Sequence, residues 1–179
     1  QPCLAAEEVA GYRDVPANAW YGDAAAYCRD NGLMSGTSDN TFAPGSPMNR
    51  AMLATVLYRL AGAPAVNGAS SFPDVQSGAW YADAALWARQ EGVISGYGDG
   101  RFGPEDPVTR EQIATIFWRY EGSPAAPAGS AFTDETLISS WARNGVDWAR
   151  SAGLIIGKTG NRFDPNGMAT RAEVATILM

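Results

Sequence analysis

Between residues 80 and 94 the apolar positions Trp80, Ala84, Trp87 and Ala88 fall at i, i+4, i+7 and i+8, the stripe of an amphipathic helix. Glu91-Gly92-Val93-Ile94 ends that helix. A glycine just past the last turn takes the left-handed conformation, and the apolar residue after it packs back. The next segment, Ser95 to Pro104, is dense in Gly and Asp and reads as a tight loop with at most a short extended piece, pinned by Phe102. A second helix starts at Thr109, with Ile113, Ile116, Phe117 and Tyr120 at i, i+3, i+4 and i+7. Leu53, Val56, Leu57 and Leu60 repeat that spacing upstream, and Val174, Ile177 and Leu178 repeat it downstream.

The whole pattern recurs three times. Asp14, Asp74 and Asp134 stand sixty residues apart. Trp20, Trp80 and Trp141, then Gly32, Gly92 and Gly153, Phe42, Phe102 and Phe163, Pro44, Pro104 and Pro165, and Arg50, Arg110 and Arg171 follow in the same order. The third copy carries one extra residue between Asp134 and Trp141. Segments 62–71 and 122–131 are rich in Ala, Pro, Gly and Ser and read as linkers. The chain therefore divides into repeats at 12–62, 72–122 and 132–179, each helix–loop–helix, the third incomplete at its C-terminal end. A lone helix pair cannot bury both stripes, so the repeats are expected to pack on one another as one domain, the second helices meeting through Leu53, Val56, Ile113, Ile116, Val174 and Ile177. The match stops at Met179 about one turn short of the other second helices, and further domains of a longer parent chain are expected.

Charge and composition narrow the function. A net charge of −6 offers phosphates no counterion release, which argues against nucleic acid. No apolar run approaches the roughly 20 residues a membrane span needs. With no histidine, Ser-His-Asp and Cys-His catalysis and His-ligated metals are excluded. Cys3 and Cys28 are too few for a four-cysteine zinc site. In an exported protein they can form one disulfide, worth roughly 3 kcal/mol in the entropy model; the alternative is two unpaired thiols, with Cys28 a small core residue on a helix.

The chemical signal lies at the start of each second helix. Thr170-Arg171-Ala172-Glu173 and Thr109-Arg110-Glu111-Gln112 read as capping boxes, in which the Thr hydroxyl accepts from the third amide and the Glu or Gln reaches back. Asn49-Arg50-Ala51-Met52 caps through Asn49 but Met52 cannot close the box. A cation in the first helical turn opposes the helix dipole. Its recurrence at Arg50, Arg110 and Arg171 points to an anion site built from amides, dipole and guanidinium, the fork suited to a carboxylate. The alternative is that each arginine pairs with a neighbouring acid, such as the Asp of the Asp-Val motif, and only ties repeats together.

In order and spacing, Phe72-Pro73-Asp74-Val75, Trp80-Tyr81, Gly92-Val93-Ile94-Ser95-Gly96, Gly100-Arg101-Phe102-Gly103-Pro104 and Thr109-Arg110-Glu111-Gln112 resemble the S-layer homology (SLH) family, over residues 12–179. The resemblance implies an all-α, pseudo-threefold assembly of three SLH repeats around a central three-helix bundle. It also implies a non-catalytic, cofactor-free module, secreted to the bacterial cell surface. There it would bind secondary cell-wall polysaccharide in grooves between repeats, through a terminal sugar bearing an acidic pyruvate ketal. Carried over residue by residue, Arg50, Arg110 and Arg171 would face the anion and Ser35 and Ser95 would offer hydroxyls. Asn18 and Gly78 would let backbone approach the ligand, while Trp20, Trp80 and Trp141 would form apolar walls, core packing being the alternative for each Trp.

Repeat three departs from the pattern, with Ile156 in place of Ser35 and Ser95, Ala142 after its Trp, and Lys158-Thr159-Gly160-Asn161 in its loop. Unequal grooves follow, those using Arg50 and Arg110 being favoured. The acids of the Gly-rich loops, Asp39 and Asp99, lack the spacing of a calcium-binding EF-hand loop, and no catalytic motif stands out. The other reading is a protein–protein module for self-assembly of a surface layer.

Overall fold

The computed structural model describes residues 8–9, 11–68, 72–129 and 132–179. Its elements in chain order are β1 (Glu8–Val9), β2 (Tyr12–Pro16), α1 (Gly22–Asp30), α2 (Arg50–Leu60), α3 (Ala82–Gln90), α4 (Arg110–Tyr120), α5 (Arg143–Ser151) and α6 (Arg171–Leu178). Two short 3-10 turns, Glu135–Leu137 and Ser140–Ala142, precede α5. The chain is thus mostly helical, with two helices per repeat as the periodicity predicts. A short antiparallel ribbon of β1 and β2, absent from the sequence reading, precedes α1.

The helix boundaries have local causes. Gly92 sits at φ +69° and its amide donates to the carbonyl of Arg89, while that of Val93 donates to Ala88. This paired closure reaches back to the last turn of α3 and buries Val93. Gly32 and Gly153 take the same conformation after α1 and α5. The N-caps of α2, α4 and α6 are Asn49, Thr109 and Thr170, each accepting from the third amide, and the reciprocal box is complete between Thr109 and Gln112.

Each loop between paired helices is held by the aspartate of its own repeat. Asp14 accepts from the amides of Phe42 and Ala43, Asp74 from Phe102 and Gly103, and Asp134 from Phe163 and Asp164, all at 2.8–2.9 Å. The loop phenylalanine is fully buried in all three copies and packs on a ring from the same repeat: Tyr12 on Phe42, Phe72 on Phe102, Phe132 on Phe163. Arg89 and Arg150 cover the outer faces of Phe72 and Phe132. These aspartates therefore hold the loop amides.

The chain separates into two compact units, one of Gln1–Pro47 with Thr170–Met179, the other of Met48–Ala169. Within each unit the helices pair by one rule. In the second unit α2 packs on α3 and α4 on α5; in the first, α6 packs on α1. The second helix of each repeat thus lies against the first helix of the next repeat in cyclic order. Small residues allow the approach: a Cβ on Gly145 of α5 would stand 2.7 Å from the Thr115 Cα of α4.

The second unit also contains a closed ring of backbone hydrogen bonds. Met48 donates to Ala169, Ala169 to Val108, and Val108 to Met48, at 2.8–2.9 Å. These residues stand two before Arg50, Arg110 and Arg171, and all three are wholly buried. Leu53, Val56, Ile113 and Ile116 are buried, but the expected meeting of second helices is corrected within this unit: α2 and α4 do not approach each other closely, and the helix beside each is the first helix of the following repeat.

Candidate binding groove

The first-turn amides of the second helices are occupied by protein. The Arg50 amide donates to the carbonyl of Asp106 and the Ala51 amide to that of Pro104. Arg110 and Glu111 donate to Gly167 and Pro165, and Arg171 and Ala172 donate to Ser46 and Pro44. The expected convergence of unused amides on a ligand is therefore corrected: carbonyls of the next repeat's Pro-containing turn take them. The dipole opposed by the arginine is answered by the same carbonyls.

The arginines are buried, not half-exposed, with 4–6% of their surface accessible. Each Nε donates to the carbonyl of a loop phenylalanine in the next repeat: Arg50 to Phe102, Arg110 to Phe163, Arg171 to Phe42, at 2.7–2.8 Å. The guanidinium lies over the same phenylalanine ring, 5.1–5.3 Å from its centroid. Beyond that common clasp the three differ. A terminal nitrogen of Arg110 donates to the Ile156 carbonyl, and one of Arg171 to the Ser35 carbonyl. Among the described residues the terminal nitrogens of Arg50 have no hydrogen-bond acceptor, and its guanidinium stacks 4.7 Å from the Tyr97 centroid instead. Burial lowers the pKa of Arg50 despite the favourable fields of Tyr97, Asp106 and Asp74, and it lowers that of Arg171 as well. Tyr97 is itself fixed by donating its hydroxyl to Asp106 at 2.6 Å.

Arg50 lines a groove of about 170 Å³ in the second unit, together with Ser95, Tyr97, Gln112, Arg119 and Trp141. The groove has one member from each repeat's marker set: the arginine of the first, the serine of the second, the tryptophan of the third. The cyclic pairing of helices explains this. The sequence reading named Ser35 and Ser95 without assigning either to an arginine; the structure puts Arg50 beside Ser95, gives Arg110 the loop of Ile156, which is 82% exposed, and gives Arg171 the loop of Ser35.

The tryptophans are not core residues. Trp20, Trp80 and Trp141 are 67%, 65% and 51% exposed. Trp80 lies before α3, edge-on to Tyr81 at 5.0 Å, so the stripe that joined it to buried Trp87 starts one turn too early. Asn18 and Gly78 are exposed, and a Cβ at Gly78 would meet nothing, so packing does not require glycine there. Their counterpart in repeat three is Ser139, two residues before Trp141. Ser35 lines a separate cavity with Tyr12, Arg29 and Asp39. Cys28 is a free, buried thiol whose Sγ lies 3.8 Å from the Ala175 carbonyl; burial pushes its pKa up to about 11. Cys3 lies outside the described residues.

Tyr97, Gln112, Arg119 and Ser139 escaped the sequence reading. Tyr97 stands among turn residues, Gln112 already had a capping role, and Ser139 sits beside the insertion that blurs the repeat register.

The family model for the S-layer homology domain matches residues 11–52, 71–114 and 131–175. The chain belongs to the S-layer homology family. It is 33% identical over 172 residues to an amylopullulanase of Thermoanaerobacterium thermosulfurigenes, covering 93% of this chain and 9% of that protein. It is 33% identical over 174 residues to an exoglucanase of Acetivibrio thermocellus, covering 93% and 16%. An S-layer protein of Bacillus thuringiensis subsp. finitimus is 30% identical over 176 residues, covering 93% and 21%. The chain thus spans at most about a fifth of these relatives' length. SLH modules are non-catalytic and generally anchor surface proteins to the bacterial cell wall, so this chain is a cell-surface module of that kind. No helix among the described residues is long and apolar enough to cross a membrane.

Proposed function

We propose that the chain anchors its parent protein by binding cell-wall polysaccharide, and that the Arg50 groove takes an acidic terminal sugar, a pyruvate ketal being the fitting substituent. The observation that carries this is the geometry of Arg50: a buried guanidinium held at Nε by the Phe102 carbonyl, its terminal nitrogens open to a groove that a half-exposed tryptophan borders. A carboxylate there receives the bidentate fork that no protein group uses. Trp141 offers the apolar face of a sugar ring a flat wall, and Ser95 and Gln112 offer donors and acceptors to its hydroxyls. Arg119 adds positive potential at the same groove.

Arg110 and Arg171, with Ser35, Asn18, Gly78, Trp20 and Trp80, carry lesser roles in this reading. Both of these arginines already spend a terminal nitrogen on a loop carbonyl, so a ligand must compete with it. Self-assembly of a surface layer is the alternative function. The test is pull-down with purified Gram-positive sacculi, before and after the attached polysaccharide is stripped. Binding that disappears on stripping and in Arg50→Ala supports the proposal; binding indifferent to both would favour a protein partner.

A further inference from the structure

Glu111 is a buried carboxylate with 4% of its surface accessible, at the second position of α4. The counterparts in α2 and α6 are Ala51 and Ala172, so neither the repeat nor helix capping calls for an acid here. Both its oxygens are used on one residue of the next repeat. Oε2 accepts from the Ser139 amide at 2.9 Å and Oε1 accepts from the Ser139 hydroxyl at 2.8 Å. Ser139 opens the Ser140–Ala142 turn, whose Ala142 amide closes back on the Ser139 carbonyl. Trp141 is the middle residue of that turn, and it borders the Arg50 groove from a half-exposed position. The turn lies against α4 and α5 with Ala142 wholly buried, while Trp141 itself is half exposed. The two charge-assisted bonds to Ser139 add a hold on the start of this turn from a rigid helix.

We propose that Glu111 is a positioning residue that holds Trp141 at the edge of the Arg50 groove, preorganising this groove for its ligand. The inference rests on the reading of that groove as the sugar site and adds what makes its wall rigid. Ser139 is the other half of the clamp: Asn18 and Gly78, in its place elsewhere, lack its hydroxyl.

The test uses the full chain, a methyl hexopyranoside bearing a pyruvate ketal as probe, and two readouts: calorimetric affinity, and amide exchange at residues 139–142. Glu111→Ala is expected to weaken binding about tenfold and to speed Ser139 exchange about tenfold or more. Glu111→Gln should restore both to within about twofold, because its carbonyl accepts from the Ser139 amide and its NH2 donates to the hydroxyl. Ser139→Ala, which removes one bond and spares the helix, should fall between them. In a Trp141→Ala background Glu111→Ala should cost no further affinity. A Glu111→Ala loss that persists in full without Trp141, or a Glu111→Ala variant that binds as wild type, overturns the proposal. Unchanged Ser139 exchange in Glu111→Ala overturns the clamp itself. Arg50→Ala binding the probe as wild type, beside accelerated exchange in Glu111→Ala, overturns the groove reading and leaves only the clamp's hold on the turn.

Discussion

Arg50, Arg110 and Arg171 share a sequence position and a phenylalanine carbonyl, yet their remaining nitrogens do different work. Arg110 and Arg171 tie a second loop carbonyl; Arg50 meets Tyr97 and the groove. Substitution by alanine should therefore separate them. Arg50→Ala is expected to lose about ten- to a hundred-fold in ligand affinity, the worth of a charge-assisted pair, with a stability loss of about 1 kcal/mol from the Phe102 bond. Arg50→Lys should recover the charge without the fork. Arg110→Ala and Arg171→Ala should lose more stability, about 2–3 kcal/mol, and less affinity. Urea unfolding beside titration of each variant checks the split. Cys28 gives a second expectation at this scale. A buried thiol with a pKa near 11 should resist iodoacetamide at pH 8 in the native protein and alkylate on unfolding. Alkylation of native Cys28 would contradict its burial, whereas Cys28 that stays unlabelled after unfolding without reductant would report a bond to Cys3.

At the scale of elements, helix existence, the starts of the second helices and the ends of the first were legible because 3.6-residue periodicity, cap residues and the C-terminal glycines are local signals; the start of α3, which has no side-chain cap, was not. The role of Asp14, Asp74 and Asp134 was not, because each holds amides about 28 residues away. Nor was the pairing partner of each arginine: a stripe shows that a helix face is buried and leaves open which helix buries it. The aspartate clasp has a pH signature. Burial alone would raise the Asp74 and Asp134 carboxyls, but the loop amides outweigh it and both pKa values fall below the ordinary 3.8. A carboxyl depressed in the folded state contributes stability above its unfolded pKa and loses it as pH falls through the folded value. Stability should hold above about pH 5 and decline below 3.8. Asp74→Asn keeps one acceptor oxygen and no charge; because the site is partly solvated it should cost only about 1 kcal/mol at pH 7. The gap to wild type should close towards pH 2. A gap that stays constant across that range would mean the charge of Asp74 contributes nothing.

Across the whole molecule, the repeat in the sequence is not the packing unit. The second helix of one repeat lies on the first helix of the next, and α6 returns to α1. A fragment of residues 72–122 holds α3 and α4, each without its packing partner, and should show little helix by circular dichroism. Residues 48–169 retain both the α2–α3 and α4–α5 pairs and the backbone ring, and should fold. A stably helical 72–122 fragment would contradict the cyclic pairing. The same connectivity brings an arginine, a serine and a tryptophan from three repeats to one groove, so no single repeat holds all three of these lining residues. The most direct measurement is calorimetric titration of the wild-type chain with the methyl hexopyranoside carrying a pyruvate ketal and with the same glycoside lacking it. Saturable binding of the ketal form, at least about tenfold tighter than the plain glycoside and lost in Arg50→Ala, is the predicted result. Equal affinity for the two glycosides, or undiminished binding by a folded Arg50→Ala chain, would contradict the assignment of this groove to an acidic sugar.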